Sequence, residues 1–199
     1  MKKITWLLLF AAFTHIPNTL WGAINEKIVM EVLKTGDVNA LVPGKSETLL
    51  HAICKTERRE LSAEQLIDCS ELVATILGKP GIIVDVLDEL GATPLHYAAR
   101  NNLYDVVVLL IKAGATINSP DMFGRVPLHY AALNGHAEVV QFLLRKGARR
   151  RIKDEQGYTP SGLAFGNDHM KIVELISMKQ PNPISRPKTE LPMNEYRLF

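Results

Sequence analysis

The sequence predicts an all-α solenoid of helix-turn-helix units joined by short turn or hairpin fingers. Three observations carry this. A motif recurs with a period of 33 residues, an apolar block recurs in the same register, and the glycines and prolines between them keep fixed offsets. Asp88-Glu89-Leu90-Gly91-Ala92-Thr93-Pro94-Leu95-His96-Tyr97-Ala98-Ala99 returns as Asp121-Met122-Phe123-Gly124-Arg125-Val126-Pro127-Leu128-His129-Tyr130-Ala131-Ala132. It returns more weakly as Asp154-Glu155-Gln156-Gly157-Tyr158-Thr159-Pro160-Ser161-Gly162-Leu163-Ala164. The apolar block runs Val106-Val107 with Leu109-Leu110, then Val139-Val140 with Phe142-Leu143, then Ile172-Val173 with Leu175-Ile176.

Each part of the unit has a physical reading. The Asp-x-x-Gly turn joins an acid that bonds its own backbone to a glycine free to take a positive φ. Thr93 and Thr159 are placed to cap a helix whose first residue is proline, where the missing N–H costs nothing. Paired alanines give that helix a slim face that a neighbour can approach closely. The V-V-x-L-L block is the buried stripe of a second helix, and Gly114 and Gly147 stand where it needs a C-terminal cap. A single such unit cannot bury its own apolar face, so the units must stack.

These residues resemble the ankyrin repeat, whose 33-residue unit contains Thr-Pro-Leu-His-x-Ala. The resemblance covers residues 24 to about 179 and is strongest over 88–165. It implies that the recurring His51, His96 and His129 are structural, each ring bonding backbone of the adjacent turn. His136 and His169 match the Gly-His that opens the second helix. It also implies binding through the turns and the inner helices.

The remaining segments follow in chain order. Lys2 and Lys3, an apolar run over 4–13 broken by Thr5, and a turn-prone stretch over 14–18 have the order of a signal peptide, predicted to occupy 1–23. The apolar run is too short to span a bilayer. Ala23 suits cleavage, whereas Trp21 is bulky where a small residue is expected. Two readings of 15–23 therefore stay open: a removed leader, which is the one adopted, or a retained degenerate helix. Residues 24–47 read as a degenerate half repeat, with Ile28-Val29 and Val32-Leu33 as its stripe and Gly36-Asp37-Val38-Asn39-Ala40 as its exit. In the unit 48–87, Thr48-Leu49-Leu50-His51 lies 45 residues before Thr93. About 12 extra residues are therefore expected there, placed in the polar run 55–65. Units 88–120 and 121–153 are regular. The unit 154–179 is degenerate, with Ser161-Gly162 in place of Leu-His, as terminal repeats commonly are. Residues 180–199, with Pro181, Pro183, Pro187 and Pro192, read as a disordered tail.

The chain has 23 Lys+Arg and 21 Asp+Glu. Removing a leader with two lysines and no acid leaves the two signs balanced, so nothing global argues for nucleic acid or an anionic membrane. No nucleophile motif, phosphate loop, paired acidic signature or spaced metal cluster is present. His51 and Cys54 are three apart, but two ligands make no zinc site. A periodic array also spreads like groups along a stack, whereas a catalytic site gathers unlike groups at one place. The expectation is no catalytic residue, no metal and no cofactor.

Three features remain as candidate sites. Cys54 takes the place of Ala99 and Ala132, and Cys69 is expected near the start of the following helix, just beyond the insertion. In an oxidising compartment a disulfide between them would close the inserted loop; the alternative is two thiols. The run from Arg145 to Lys153 contains six bases, and Arg149, Arg150 and Arg151 offer an acidic or anionic partner a contact. The competing reading is a solvated turn balanced by Asp154 and Glu155. The expected partner surface further includes Met122, Phe123, Arg125, Tyr158, Tyr97, Arg100, Tyr130, Leu133 and Asn134, because aromatic and arginine side chains make good anchors.

The expected role is a non-catalytic protein-interaction scaffold or adaptor, periplasmic or secreted, with no membrane span in the mature chain. The alternatives are a host-directed effector or an accessory subunit stabilising a periplasmic enzyme.

Overall fold

A computed structural model describes residues 37, 39, 41, 46–55 and 63–178, the side chains of 63–68 excepted. The expected leader, most of the half repeat and the tail lie outside the described residues. Among the described residues there are eight helices and one isolated antiparallel bridge, between Leu41 and Thr48. Short inner helices alternate with longer outer ones. The inner helices are α1 (Leu49–Cys54), α3 (Pro94–Arg100), α5 (Pro127–Leu133) and α7 (Pro160–Gly166). The outer helices are α2 (Ala63–Leu77), α4 (Tyr104–Lys112), α6 (Ala137–Arg145) and α8 (Met170–Ser177). Each inner helix packs on the next inner helix and each outer helix on the next outer one, giving the predicted solenoid.

The core runs along this stack as one continuous cluster. Ala98, Ala99, Ala131, Ala132 and Ala164 are completely buried, as a slim inner face requires. Leu95, Leu110, Leu128, Leu143 and Ile172 fill the space between the inner and outer rows. Each such burial contributes about 2 kcal/mol.

The fingers depend on Asp88, Asp121 and Asp154. In each, Oδ1 accepts N–H groups two and four residues on, at 2.8–3.1 Å. Adjacent fingers then join directly: the Met122 amide donates to the Leu90 carbonyl and the Glu155 amide to the Phe123 carbonyl, both at 2.9 Å. This close approach explains Gly91 and Gly124. Both take positive φ, and a Cβ would lie 3.3 Å and 3.2 Å from the amide nitrogens of Met122 and Glu155.

Two local expectations change. At Thr93 the helix start is satisfied by His96, not by the threonine hydroxyl. The Thr93 amide donates to His96 Nδ1 at 3.0 Å, and the hydroxyl lies 2.9 Å from the same nitrogen. Only Thr159, followed by Gly162 instead of histidine, caps through its own oxygen, accepting from the Gly162 amide at 3.2 Å. The insertion, too, is not all loop. Helix α2 has 15 residues where α4 and α6 have 9, and it already begins at Ala63 inside the expected polar run. Buried Cys69, Leu72, Val73 and Ile76 repeat the spacing of buried Leu103, Val106, Val107 and Leu110. Cys69 thus stands inside α2 and not near its start, in the core place of Leu103, because the added residues lengthen the outer helix toward its N-terminus.

Candidate protein-binding surface

Histidines lock the inner helices to the fingers. His51, His96 and His129 each accept a backbone N–H at Nδ1, from Thr48, Thr93 and Val126, at 3.0–3.2 Å. The ring proton therefore sits on Nε2, which donates to the next finger: to the carbonyls of Ala92 (3.0 Å), Arg125 (3.1 Å) and Tyr158 (3.2 Å). Burial holds all three rings below the ordinary histidine value. All three are committed to structure, as the resemblance implied.

The tyrosines following two of these histidines bond back to their own fingers. Tyr97 donates to Asp88 Oδ2 and Tyr130 to Asp121 Oδ2, both at 2.6 Å. Burial and then these bonds push both phenols above their usual range. Burial opposes the Asp88 charge. Even so, Tyr97, the amides of Ala92 and Leu90, and Lys55 together hold that carboxyl below the usual range. In the last unit Leu163 stands where a tyrosine would be. There the Asp154 carboxylate takes Arg125 Nε at 3.1 Å, and Arg125 Nη2 also donates to Gln156 at 2.9 Å. Against the cost of burial, the Tyr158 amide and Arg125 keep Asp154 charged.

With these groups engaged, the exposed surface is well defined. Met122 and Phe123 project from the middle finger, 54% and 39% exposed, and Tyr158 is 54% exposed on the next. Arg100 is exposed at the end of α3, Leu133 is half-buried, and Asn134 is exposed with its amide on the Tyr130 carbonyl. Tyr97 is only 9% exposed and Tyr130 is half-buried, so they form the floor. Finger and inner helix converge on a small recess of about 30 Å³ walled by Leu90, Tyr97, Arg100, Asp121 and Tyr130. Leu90, 45% exposed, belongs to this surface and was absent from the sequence-based set. Its signal was the period itself, since it stands one repeat before Phe123.

Arg125 belongs to the joint between fingers more than to the open surface. The basic turn lies elsewhere. The Arg149 amide bonds Asn118 at 2.9 Å on the preceding turn, and its side chain is exposed, as is that of Arg151. Arg150 turns inward. Its Nη1 donates to the carbonyls of Ile176, at 3.1 Å, and Met178, placing a cation at the C-terminus of α8. The exposed cations of this turn are Arg145, Lys146, Arg149, Arg151 and Lys153. Cys54 and Cys69 are both completely buried.

Among the described residues no helix is long and apolar enough to cross a membrane. No curated protein matches the chain. The family model for ankyrin repeats, three copies, matches residues 20–121 and 116–186. With the period, the helix pairs and the fingers all in that register, the chain belongs to the ankyrin repeat family.

Proposed function

We propose that this protein is a non-catalytic scaffold that binds a protein partner outside the cytoplasm, through its fingers and inner helices. Ankyrin repeats suggest protein-protein interaction and are generally non-catalytic. The observation that carries the choice of face is the exposed row Leu90, Met122, Phe123 and Tyr158 on fingers already joined by backbone bonds. Apolar and aromatic groups on a rigid frame bury area at little entropic cost. Arg100 supplies a charged anchor beside the tyrosine floor, and Arg149 and Arg151 offer an anionic partner a second contact. The action outside the cytoplasm rests on the charged, apolar and turn-prone order of residues 1–23.

A photo-crosslinking residue at Phe123, compared with one at exposed Glu174 on α8, tests the face in cells making the full chain. Adducts from Phe123 alone support the proposal, and equal adducts from both positions, or none from Phe123, contradict it. Fractionation with N-terminal sequencing tests the compartment. An intact leader on cytoplasmic protein would refute that part alone.

A further inference from the structure

We infer that Cys54 and Cys69 are an oxidisable pair that closes an intrachain disulfide and staples the inner helix of the first described unit to its lengthened outer helix. The pair is unusual within the repeat. The next unit places Ala99 and Leu103 at these positions, and neither can crosslink. Both cysteines face one core and are completely buried, on α1 and α2, which pack together. Each is held by the neighbouring unit as well. The Cys54 carbonyl accepts from Asn101 Nδ2 at 2.9 Å, and α2 packs on α4. The segment between the cysteines contains the residues that have no counterpart in later units. A bond between the ends of that segment would limit opening where the repeat itself supplies no ladder.

The two thiols differ in their surroundings. Cys69 forms part of the wall of a cavity of about 130 Å³, with Asn102, Leu103, Tyr104, Asp105, Val106 and Glu138. Cys54 does not line it, and burial, with Cys69 beside it, pushes its thiol well above the ordinary range. The order of events follows, with a small-molecule disulfide such as oxidised glutathione as the oxidant. The Cys69 thiolate attacks one sulfur, breaking the oxidant's S–S bond and releasing one thiolate. Cys54 then loses its proton to solvent and attacks the Cys69 sulfur, expelling the second thiolate. Two protein thiols become one disulfide, and the oxidant is reduced to two thiols. Both thiols are buried, so each step waits on a local opening that admits the oxidant and lets the thiol ionise.

The test treats the folded full chain with oxidised glutathione, then counts alkylatable thiols by mass after denaturation, alongside C54A and C69A. Ala99 at the equivalent place indicates that C54A folds, and circular dichroism checks both variants. The wild type is expected to lose both thiols as a monomer, retain no glutathionyl group, and close faster as pH rises. C54A should stop with glutathione on Cys69. The oxidised chain should melt about 5–10 °C above the reduced one. Two thiols persisting in the folded wild type, a bond between chains, or C54A left unmodified would overturn the inference. A lower melting temperature on oxidation would overturn the staple. None of these outcomes depends on whether the finger surface binds a partner.

Discussion

In the unit at 121–153, groups reach both ways along the stack, whereas the unit at 154–178 keeps only the groups that reach back. In the former, the Met122 amide bonds back to Leu90, Gly124 closely approaches Glu155 ahead, and His129 bonds forward to Tyr158. In the latter, Asp154 still orders its finger and holds Arg125, and the Glu155 amide still bonds Phe123. The histidine position, which would bond forward, has become Gly162. Gly157 keeps its positive φ, yet a Cβ there would meet nothing within 4 Å, unlike at Gly91 and Gly124. A repeated motif is thus two sets of residues: one that shapes the unit and one that serves the next unit. The last described copy lacks the second set.

Removing a forward-reaching histidine should have the largest effect. H129A strands the Val126 amide and the Tyr158 carbonyl and leaves a cavity, so it should cost about 3 kcal/mol in urea unfolding. An unchanged midpoint would show that the ladder is incidental.

Acid attacks the same groups together. The folded rings have depressed pKa values, so below about pH 6.5 the unfolded chain binds protons that the folded chain refuses. Stability is full above that value and falls as pH drops toward the folded-state pKa. The expected loss is roughly 2 kcal/mol between pH 7 and 5.5. Asp88 and Asp154 add a second loss as pH falls below 3.8 toward their lowered values. A melting temperature flat from pH 7 to 5 would contradict the assignment of neutral, buried rings.

The contact by which Asp154 reaches back to Arg125 is weaker. R125M keeps the volume of the side chain but strips the cation from a buried carboxylate that retains two amide donors. It should cost about 1.5 kcal/mol, recovered in part by adding D154N. The smallest effect sharpens the contrast. G162H restores the motif in the last described unit, where no finger follows among the described residues, and should shift stability by less than about 0.5 kcal/mol. A gain comparable to the loss in H129A would mean that the ring stabilises its own unit and not the joint.

What the sequence revealed was whatever repeats. The period exposed the helix pairs, fingers and buried alanines, and the family resemblance assigned the histidines. Contacts made once left no periodic trace. Arg125 reads as a surface residue until Leu163 is seen to leave Asp154 without its tyrosine. Arg150 looks like one of three equal cations, yet its partners are carbonyls at the end of α8, which no local pattern announces. The insertion was located by arithmetic, but with no second copy to align, its helical part could not be distinguished from loop. Leu90 shows the opposite failure, because the period pointed to it and only its exposure was unknown.

The binding surface can be tested with the joints left intact. The double substitution F123D/Y158D changes two exposed side chains whose backbone bonds do not depend on them, so the melting temperature should stay within about 2 °C of the parent. In a crosslinked pull-down from the native compartment, recovery of the parent's partner should fall at least about tenfold, as expected for loss of aromatic anchors. Undiminished recovery by the folded double variant would contradict the claim that the fingers and inner helices form the binding face.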